Sequence, residues 1–128
     1  MKKLSKLGKI IIAAIIIVGV VIAAKTLPIS LQSSVLENID NTTYQAVNLD
    51  NGETYFGKIT ASNDATLTLT DVYYFKDGDK TKLIKKGSEI YGPEDSITIN
   101  LDRVVSTENL LETGKVMQAI TKYKASKQ

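Results

Sequence analysis

The chain has 128 residues, which is enough for one small domain and one short additional segment. It contains no cysteine, histidine or tryptophan, and this composition excludes disulfides, thiolate nucleophiles, imidazole bases and the usual zinc sites. The net charge is +2, but five of the sixteen basic residues lie in the first 25 positions, so eleven basic residues remain against fourteen acidic ones. This acidic body argues against nucleic acid as a partner, and we expect no catalysis, cofactor or metal.

The N-terminal segment combines a basic start with a long apolar run. Four lysines lie in residues 1–9, and residues 10–24 are fifteen uncharged, almost entirely aliphatic residues that end before Lys25. A helix of that length spans about 22 Å, and flanking apolar residues extend it toward the bilayer thickness if the lysines snorkel. We therefore predict a single-pass signal anchor at residues 1–25, inserted in the lipid bilayer through residues 10–24. A cleaved signal peptide is the alternative, because it has the same basic start and apolar middle.

The body of the chain changes from a helical to an alternating pattern of apolar residues. Residues 26–43 are predicted to form a short amphipathic helix and a linker, and residues 44–105 a mainly β domain. Five strands joined by tight turns are too few for a two-sheet sandwich, so we predict a small, strongly bent barrel with flanking short helices. The predicted strands are residues 44–50, 53–61, 65–75, 81–86 and 96–101.

Local signals refine this barrel. Asn51 and Gly52 favour a two-residue hairpin turn between the first two strands. The alternation slips after Asp71, which indicates a bulge or a bend in the third strand. Gly57 is expected on the inward side of the second strand, where a small residue lets a bent strand approach its neighbour. Residues 106–128 are predicted to form a C-terminal helix and basic tail, with acidic residues early and lysines late, as the helix dipole favours.

Several segments of the body form an ordered series of motifs. They are NGETYFGK at 51–58, LTDVYYF at 69–75, LIKKGSEIYGPED at 83–95, ENL at 108–110 and GKVMQAI at 114–120. Together they resemble an uncharacterised family of small membrane-anchored proteins from candidate-phyla-radiation bacteria. The resemblance implies a membrane anchor and no particular activity. The chain differs from the family pattern at Tyr91, where histidine is expected before the GPED motif.

A weaker resemblance concerns the fold. A helix followed by a strand, the Asn-Gly dipeptide, a Tyr-x-Gly pattern in the second strand and a long bent third strand is similar to the Sm-like barrel. The RNA-binding signature of that family is not carried over, because Thr66 stands where its base-contacting asparagine would fall. This resemblance therefore implies a fold of the Sm-like or SH3-like kind and no function.

The loop between the last two predicted strands is the first candidate interaction site. Pro93 fixes one φ angle and Gly92 permits unusual ones, so the loop has a defined shape. It presents the carboxylates of Glu94 and Asp95 beside the ring of Tyr91. We interpret these five residues as a recognition loop. The alternative is that the carboxylates accept backbone hydrogen bonds and hold a corner of the fold.

Two adjacent aromatic residues of the third strand are the second candidate site. Side chains of neighbouring strand residues point to opposite faces of a sheet, so one ring of Tyr73 and Tyr74 lies outside the barrel or under a flanking helix. Either ring is therefore a candidate for contact with a partner.

These observations lead to one main hypothesis and two alternatives. Because four lysines precede the apolar run and one follows it, we expect the N-terminus in the cytoplasm and the C-terminal domain outside the cell membrane. The main hypothesis is a tethered, non-catalytic module that binds a protein partner or assists assembly in the cell envelope. The first alternative is a surface module that binds a cell-wall saccharide or another ligand. The second is an Sm-like RNA-binding protein with a cytoplasmic barrel.

Overall fold

The computed structural model describes residues 33–128. The predicted anchor at residues 1–25 lies outside the described residues, and so does the first part of the predicted amphipathic helix. The remainder of that helix is a single 3-10 turn, Ser33–Leu36. Among residues 33–128, no helix is both long and apolar enough to cross a membrane.

The fold is mainly β and is built on a six-stranded antiparallel sheet. The strands are β1 (Gln45–Leu49), β2 (Thr54–Ser62), β3 (Thr66–Lys76), β4 (Asp79–Lys85), β5 (Ser96–Asn100) and β6 (Val104–Asn109). A helix, α1 (Lys115–Ala125), follows the last strand. The strands pair in the order β4-β3-β2-β1-β6, and β5 pairs with β3 as well.

The long third strand serves two partners on one side. Its first half pairs with β5 and its second half with β4, while β2 lies along its other side. The partner of β3 changes from β5 to β4 at Asp71, which has a positive φ of 53°. The register between β2 and β3 also shifts here, at Gly57 of β2. A Cβ atom on Gly57 would lie 2.9 Å from the carbonyl oxygen of Thr70. The predicted bulge and the predicted close approach at Gly57 are both confirmed.

The first hairpin turn is one residue longer than predicted. The amide of Leu49 donates to the carbonyl of Glu53, and the amide of Gly52 donates to the carbonyl of Leu49 at 3.1 Å. Gly52 has a φ of 85°, and the side chain of Asn51 accepts the amide of Glu53 at 3.0 Å. A three-residue loop with glycine in the left-handed position is the next most common hairpin connection. The prediction of a two-residue turn is therefore wrong, although the same two residues make the turn.

Two hydrophobic clusters lie on opposite faces of the sheet. The inner cluster comes from four strands, β1, β3, β5 and β6, and from one residue of the 3-10 turn between β5 and β6. The first 3-10 turn packs against it through Val35 and Leu36. The outer cluster lies between the sheet and α1, which contributes Ile120. The inner cluster is Val47, Leu67, Leu69, Val72, Ile99, Leu101 and Val104, and the strand residues of the outer cluster are Ala46, Phe56 and Tyr73, with Tyr44 just before β1.

The sixth strand corrects the prediction for the C-terminal region. We expected five strands and a helix over residues 106–128, but β6 occupies Val104–Asn109 and pairs with the whole of β1. Gly114 is the N-cap of α1 and does not lie inside the helix. The reason is long-range pairing, because the backbone of residues 104–109 is satisfied by β1, which is far away in sequence.

Candidate functional site

The loop that joins β4 to β5 is attached to the sheet at both ends. Near its start, the carboxylate of Glu89 accepts the hydroxyl of Tyr74 at 2.7 Å and the amide of Gly87 at 2.6 Å. At its end, the carboxylate of Asp95 accepts the amide of Val72 at 2.8 Å and pairs with the ammonium of Lys85. These contacts attach both ends of the loop to the sheet, and the hydrogen bond from Val72 also satisfies a backbone donor at the bulge.

The tip of this loop presents two large apolar side chains. Gly92 has a φ of 64°, and its amide donates to the carbonyl of Glu89 at 2.9 Å, which closes a tight turn. Inside the turn, Ile90 is 105% exposed and Tyr91 is 73% exposed. Isoleucine is among the residues most often found buried, and here it is exposed together with its neighbour Tyr91, so the turn presents two adjacent apolar side chains.

The five residues predicted at this loop have different roles. Tyr91 lies at the tip beside Ile90, and Gly92 closes the turn. Pro93 is half-buried, and Glu94 is exposed. Asp95 accepts a backbone hydrogen bond from Val72, which is the structural role that the sequence analysis gave as the alternative to recognition. Sequence reasoning missed Ile90, although an isolated isoleucine between two glycines and outside any strand pattern was a usable signal.

The two adjacent tyrosines of β3 have opposite environments. Tyr73 is 1% exposed under α1, where its ring makes edge contacts with Tyr44 and Tyr123 at centroid distances of 6.4 Å and 5.8 Å. The helix therefore covers the face of the sheet that carries Tyr73, which is the second of the two positions expected for one of these rings. Tyr74 is half-buried beside Tyr55, with ring centroids 6.0 Å apart, and its hydroxyl is engaged by Glu89.

The tyrosines near the loop form a small polar and aromatic surface. Burial raises the pKa of Tyr74, and the hydrogen bond to Glu89 raises it further, with the charges of Glu89 and Tyr91 adding to the effect. Burial also raises the pKa of Tyr55, and Glu53 and Tyr91 contribute. Tyr55 and Tyr74 therefore remain neutral phenols at physiological pH.

A cluster of charges lies at the bulge, between the sheet and α1. The carboxylate of Asp71 accepts the hydroxyl of Tyr44, the ammonium of Lys124 at 2.5 Å and the ammonium of Lys85 at 3.2 Å. Burial acts to raise the pKa of Asp71, but the hydrogen bonds from Lys124, Tyr44 and Lys85 outweigh it and hold the pKa at about 2. The ammonium of Lys85 also lies over the ring of Tyr73, 4.6 Å from its centroid. The ammonium of Lys124 lies over the ring of Tyr44, 5.2 Å from its centroid.

This charge cluster is suited to holding the helix and not to acid–base chemistry. The hydrogen bond that Lys124 donates to Asp71 raises the pKa of Lys124. Burial, followed by the hydrogen bond to Asp71, raises the pKa of Tyr44. A general acid or base works best with a pKa near the operating pH, whereas these three groups keep their protonation states throughout the neutral range. In residues 33–128, no group of three or more acidic side chains is arranged to hold a metal ion.

A groove of about 580 Å³ lies between the β1–β2 and β3–β4 turns. Phe56 and Phe75, whose ring centroids are 5.2 Å apart, contribute its apolar lining. Both rings belong to the hydrophobic cluster on the α1 side of the sheet, whereas the β4–β5 loop is attached through Tyr74 on the other side. The charged residues along the groove are Glu53, Asp77, Glu108 and Lys80.

Comparison with known proteins gives little beyond the fold. No family model and no curated protein matches this sequence, so the resemblance to the candidate-phyla-radiation family stays a prediction. Among solved structures, the chain is similar to one described as the crystal structure of the P. aerophilum SmAP1 heptamer. The two chains are 13% identical with a TM-score of 0.45, and the match covers 64% of this chain and 95% of that chain. This is a weak likeness of fold to an Sm-like protein, and it assigns no role to any residue here.

Proposed function

We propose that this chain is a non-catalytic protein-interaction module of the cell envelope, which binds its partner through the loop between β4 and β5. The observation that carries the proposal is the full exposure of Ile90 and the 73% exposure of Tyr91 on a loop attached at both ends. A few buried aromatic and aliphatic anchors supply most of the energy of a protein interface. A loop whose two ends are held to the sheet loses less entropy on binding than a loop without such contacts.

The proposal includes a membrane tether and an outward location. The apolar run of residues 10–24 and the lysines before it support a single-pass anchor with the domain outside the membrane.

We also propose that the sheet closes as a small barrel of the Sm-like or SH3-like kind. The pairing of β3 with both β4 and β5, and of β6 with β1, supports this closure.

The proposal is tested by capture of envelope proteins on the tagged full chain, after cross-linking in cells. Replacing both tip residues, Ile90→Ser with Tyr91→Ser, is expected to remove the captured partner without changing the unfolding midpoint, since neither side chain is buried. Leu111→Ser is the matched control, because Leu111 is 76% exposed but lies outside the loop. Partner capture that is unchanged in the double variant would exclude the loop as the binding site.

A cell-wall saccharide is the second candidate ligand, and two neighbouring tyrosines favour it. Small-molecule sites combine aromatic side chains with a few placed polar groups. The rings of Tyr55 and Tyr74 lie 6.0 Å apart, Glu89 accepts the hydroxyl of Tyr74, and the exposed ring of Tyr91 is on the loop that Glu89 holds. Sedimentation of the full chain with purified cell-wall polymer distinguishes the candidates. A saccharide module co-sediments with the polymer and loses this binding with Tyr91→Ser, whereas a protein-interaction module stays in the supernatant.

Protease accessibility in intact cells tests the RNA-binding alternative, because that function requires a cytoplasmic domain.

A further inference from the structure

We propose that the groove of about 580 Å³ between the β1–β2 and β3–β4 turns binds a basic segment of another protein. In this contact an apolar side chain of the partner lies against the ring of Phe75, and its lysine or arginine side chains pair with the carboxylates along the groove. The inference goes beyond the proposed function, because the groove lies on the α1 side of the sheet and the β4–β5 loop is attached on the other side. Failure of either proposal therefore leaves the other standing.

The first argument is that α1 covers only part of its side of the sheet. Phe56 and Phe75 belong to the cluster on which α1 packs, and both also line the groove. Among the described residues, those that line the groove come from the strands, their turns and Leu110, and none comes from α1. Phe75 and Leu110 are half-buried, so they keep apolar surface that the chain does not cover. The volume of the groove lies within the range of about 300–1,000 Å³ that is usual for binding pockets.

The second argument is charge complementarity. Three carboxylates, those of Glu53, Asp77 and Glu108, line the groove with one ammonium, that of Lys80, and all four residues are exposed. Within residues 33–128, the carboxylates of Asp77 and Glu108 have no hydrogen-bond or ion-pair partner. Negative groups beside an apolar surface attract a positively charged partner and repel an acidic one. The groove therefore favours a segment that carries lysine or arginine next to an apolar residue.

The third argument is the way in which the chain itself covers the neighbouring part of this face. There the ring of Tyr123, from α1, makes an edge contact with Tyr73. The ammonium of Lys124, from the same helix, pairs with Asp71 and lies over the ring of Tyr44. A basic segment with apolar residues thus packs on aromatic rings beside a carboxylate, and contacts between cations and rings add to its stability. The groove offers the same combination of rings and carboxylates to a segment from outside residues 33–128.

A water-soluble carbodiimide tests this contact directly, because it joins a carboxylate to a lysine amine only where the two groups touch. Membranes of the native cells that carry the tagged full chain are treated with the reagent, and the joined peptides are sequenced by mass spectrometry. We expect an amide bond between Asp77 or Glu108 and a lysine of another protein, within a segment that carries further basic residues and an apolar residue. Glu53→Arg reverses one charge of the groove and leaves both reactive carboxylates in place, so the yield of this adduct is expected to fall about tenfold.

Glu94→Arg is the matched control, because it makes the same change at an exposed carboxylate that does not line the groove. The adduct is expected to keep its yield in this variant. Equal yields from the two variants would overturn the inference, since they would show that the charge of the groove does not select the partner. Adducts to lysines of this chain alone would overturn the assignment to another protein. The absence of any adduct at Asp77 and Glu108 would exclude the groove as a binding site.

Discussion

The two faces of β3 at Tyr73 and Tyr74 differ in what covers them. On one face, α1 covers Tyr73, and the charges of Asp71 are matched by Lys85 and Lys124. On the other face, the β4–β5 loop is attached through Tyr74 and leaves two apolar side chains in solvent. The first face has the features of a structural contact, since its charged groups are paired within the chain. The second has those of a binding surface, because its polar groups fix the loop while its apolar groups have no contact that would bury them.

The largest expected effect is at the bulge that separates the two halves of β3. Gly57→Val places a side chain 2.9 Å from the backbone oxygen of Thr70, which cannot move without disrupting the pairing of β2 with β3. We expect a loss of about 3 kcal/mol in the free energy of unfolding, as in severe overpacking. Urea titration of the full chain in detergent measures it. Thr60→Val on the exposed side of β2 is the control, and equal midpoints for the two variants would contradict tight packing at Gly57.

The charge cluster under the helix predicts a dependence of stability on pH. The pKa of Asp71 falls from its ordinary value of 3.8 to about 2 in the folded chain. A lowered folded pKa stabilises the fold above about pH 4, and this stabilisation is lost as the pH falls toward 2. We expect Asp71→Asn to lose about 2 kcal/mol at neutral pH and to lose most of this acid sensitivity. Asp64→Asn, in an exposed turn, is the control, and an identical pH profile for both variants would contradict the role of Asp71.

The two carboxylates of the predicted loop motif are expected to behave differently. Asp95→Ala leaves the amide of Val72 and the ammonium of Lys85 without this acceptor, so we expect a loss of about 1–2 kcal/mol. Glu94→Ala removes an exposed side chain and is expected to stay within about 0.5 kcal/mol of the parent. The melting temperatures of the two variants, measured by thermal unfolding, test this difference in stability. Equal melting temperatures would mean that the loop is not attached to the sheet through Asp95.

The smallest expected effect is a stabilisation. Among residues 33–128, the hydroxyl of Tyr73 is the one buried side-chain polar atom that has no hydrogen-bond partner. Tyr73→Phe removes this unpaired group and is expected to add about 0.5–1 kcal/mol to the free energy of unfolding. Tyr44→Phe is the matched control, because the hydroxyl of Tyr44 donates to Asp71 and its removal is expected to destabilise. Destabilisation by both variants would show that the hydroxyl of Tyr73 is satisfied in solution.

The elements that the sequence predicts correctly are those with a strong local pattern of apolar residues. The alternation of residues 66–70 predicted the third strand, and its slip after Asp71 predicted the bulge. By contrast, the sequence of β6 does not alternate, and its assignment depends on pairing with β1, which periodicity cannot detect. The covering of Tyr73 by α1 and the attachment of Asp95 to Val72 also depend on distant partners. For the same reason, the sequence left the structural and functional interpretations of the loop undecided.

The central claim is that the loop tip contacts another protein in the cell envelope. Its most direct test replaces Tyr91 in the full chain with the photo-crosslinking residue benzoylphenylalanine and irradiates living cells. The same residue placed at Thr60, exposed on β2, serves as the reference. The account predicts a discrete cross-linked protein from position 91 and none from position 60. The absence of a protein adduct at position 91, or equal adducts at both positions, would contradict it.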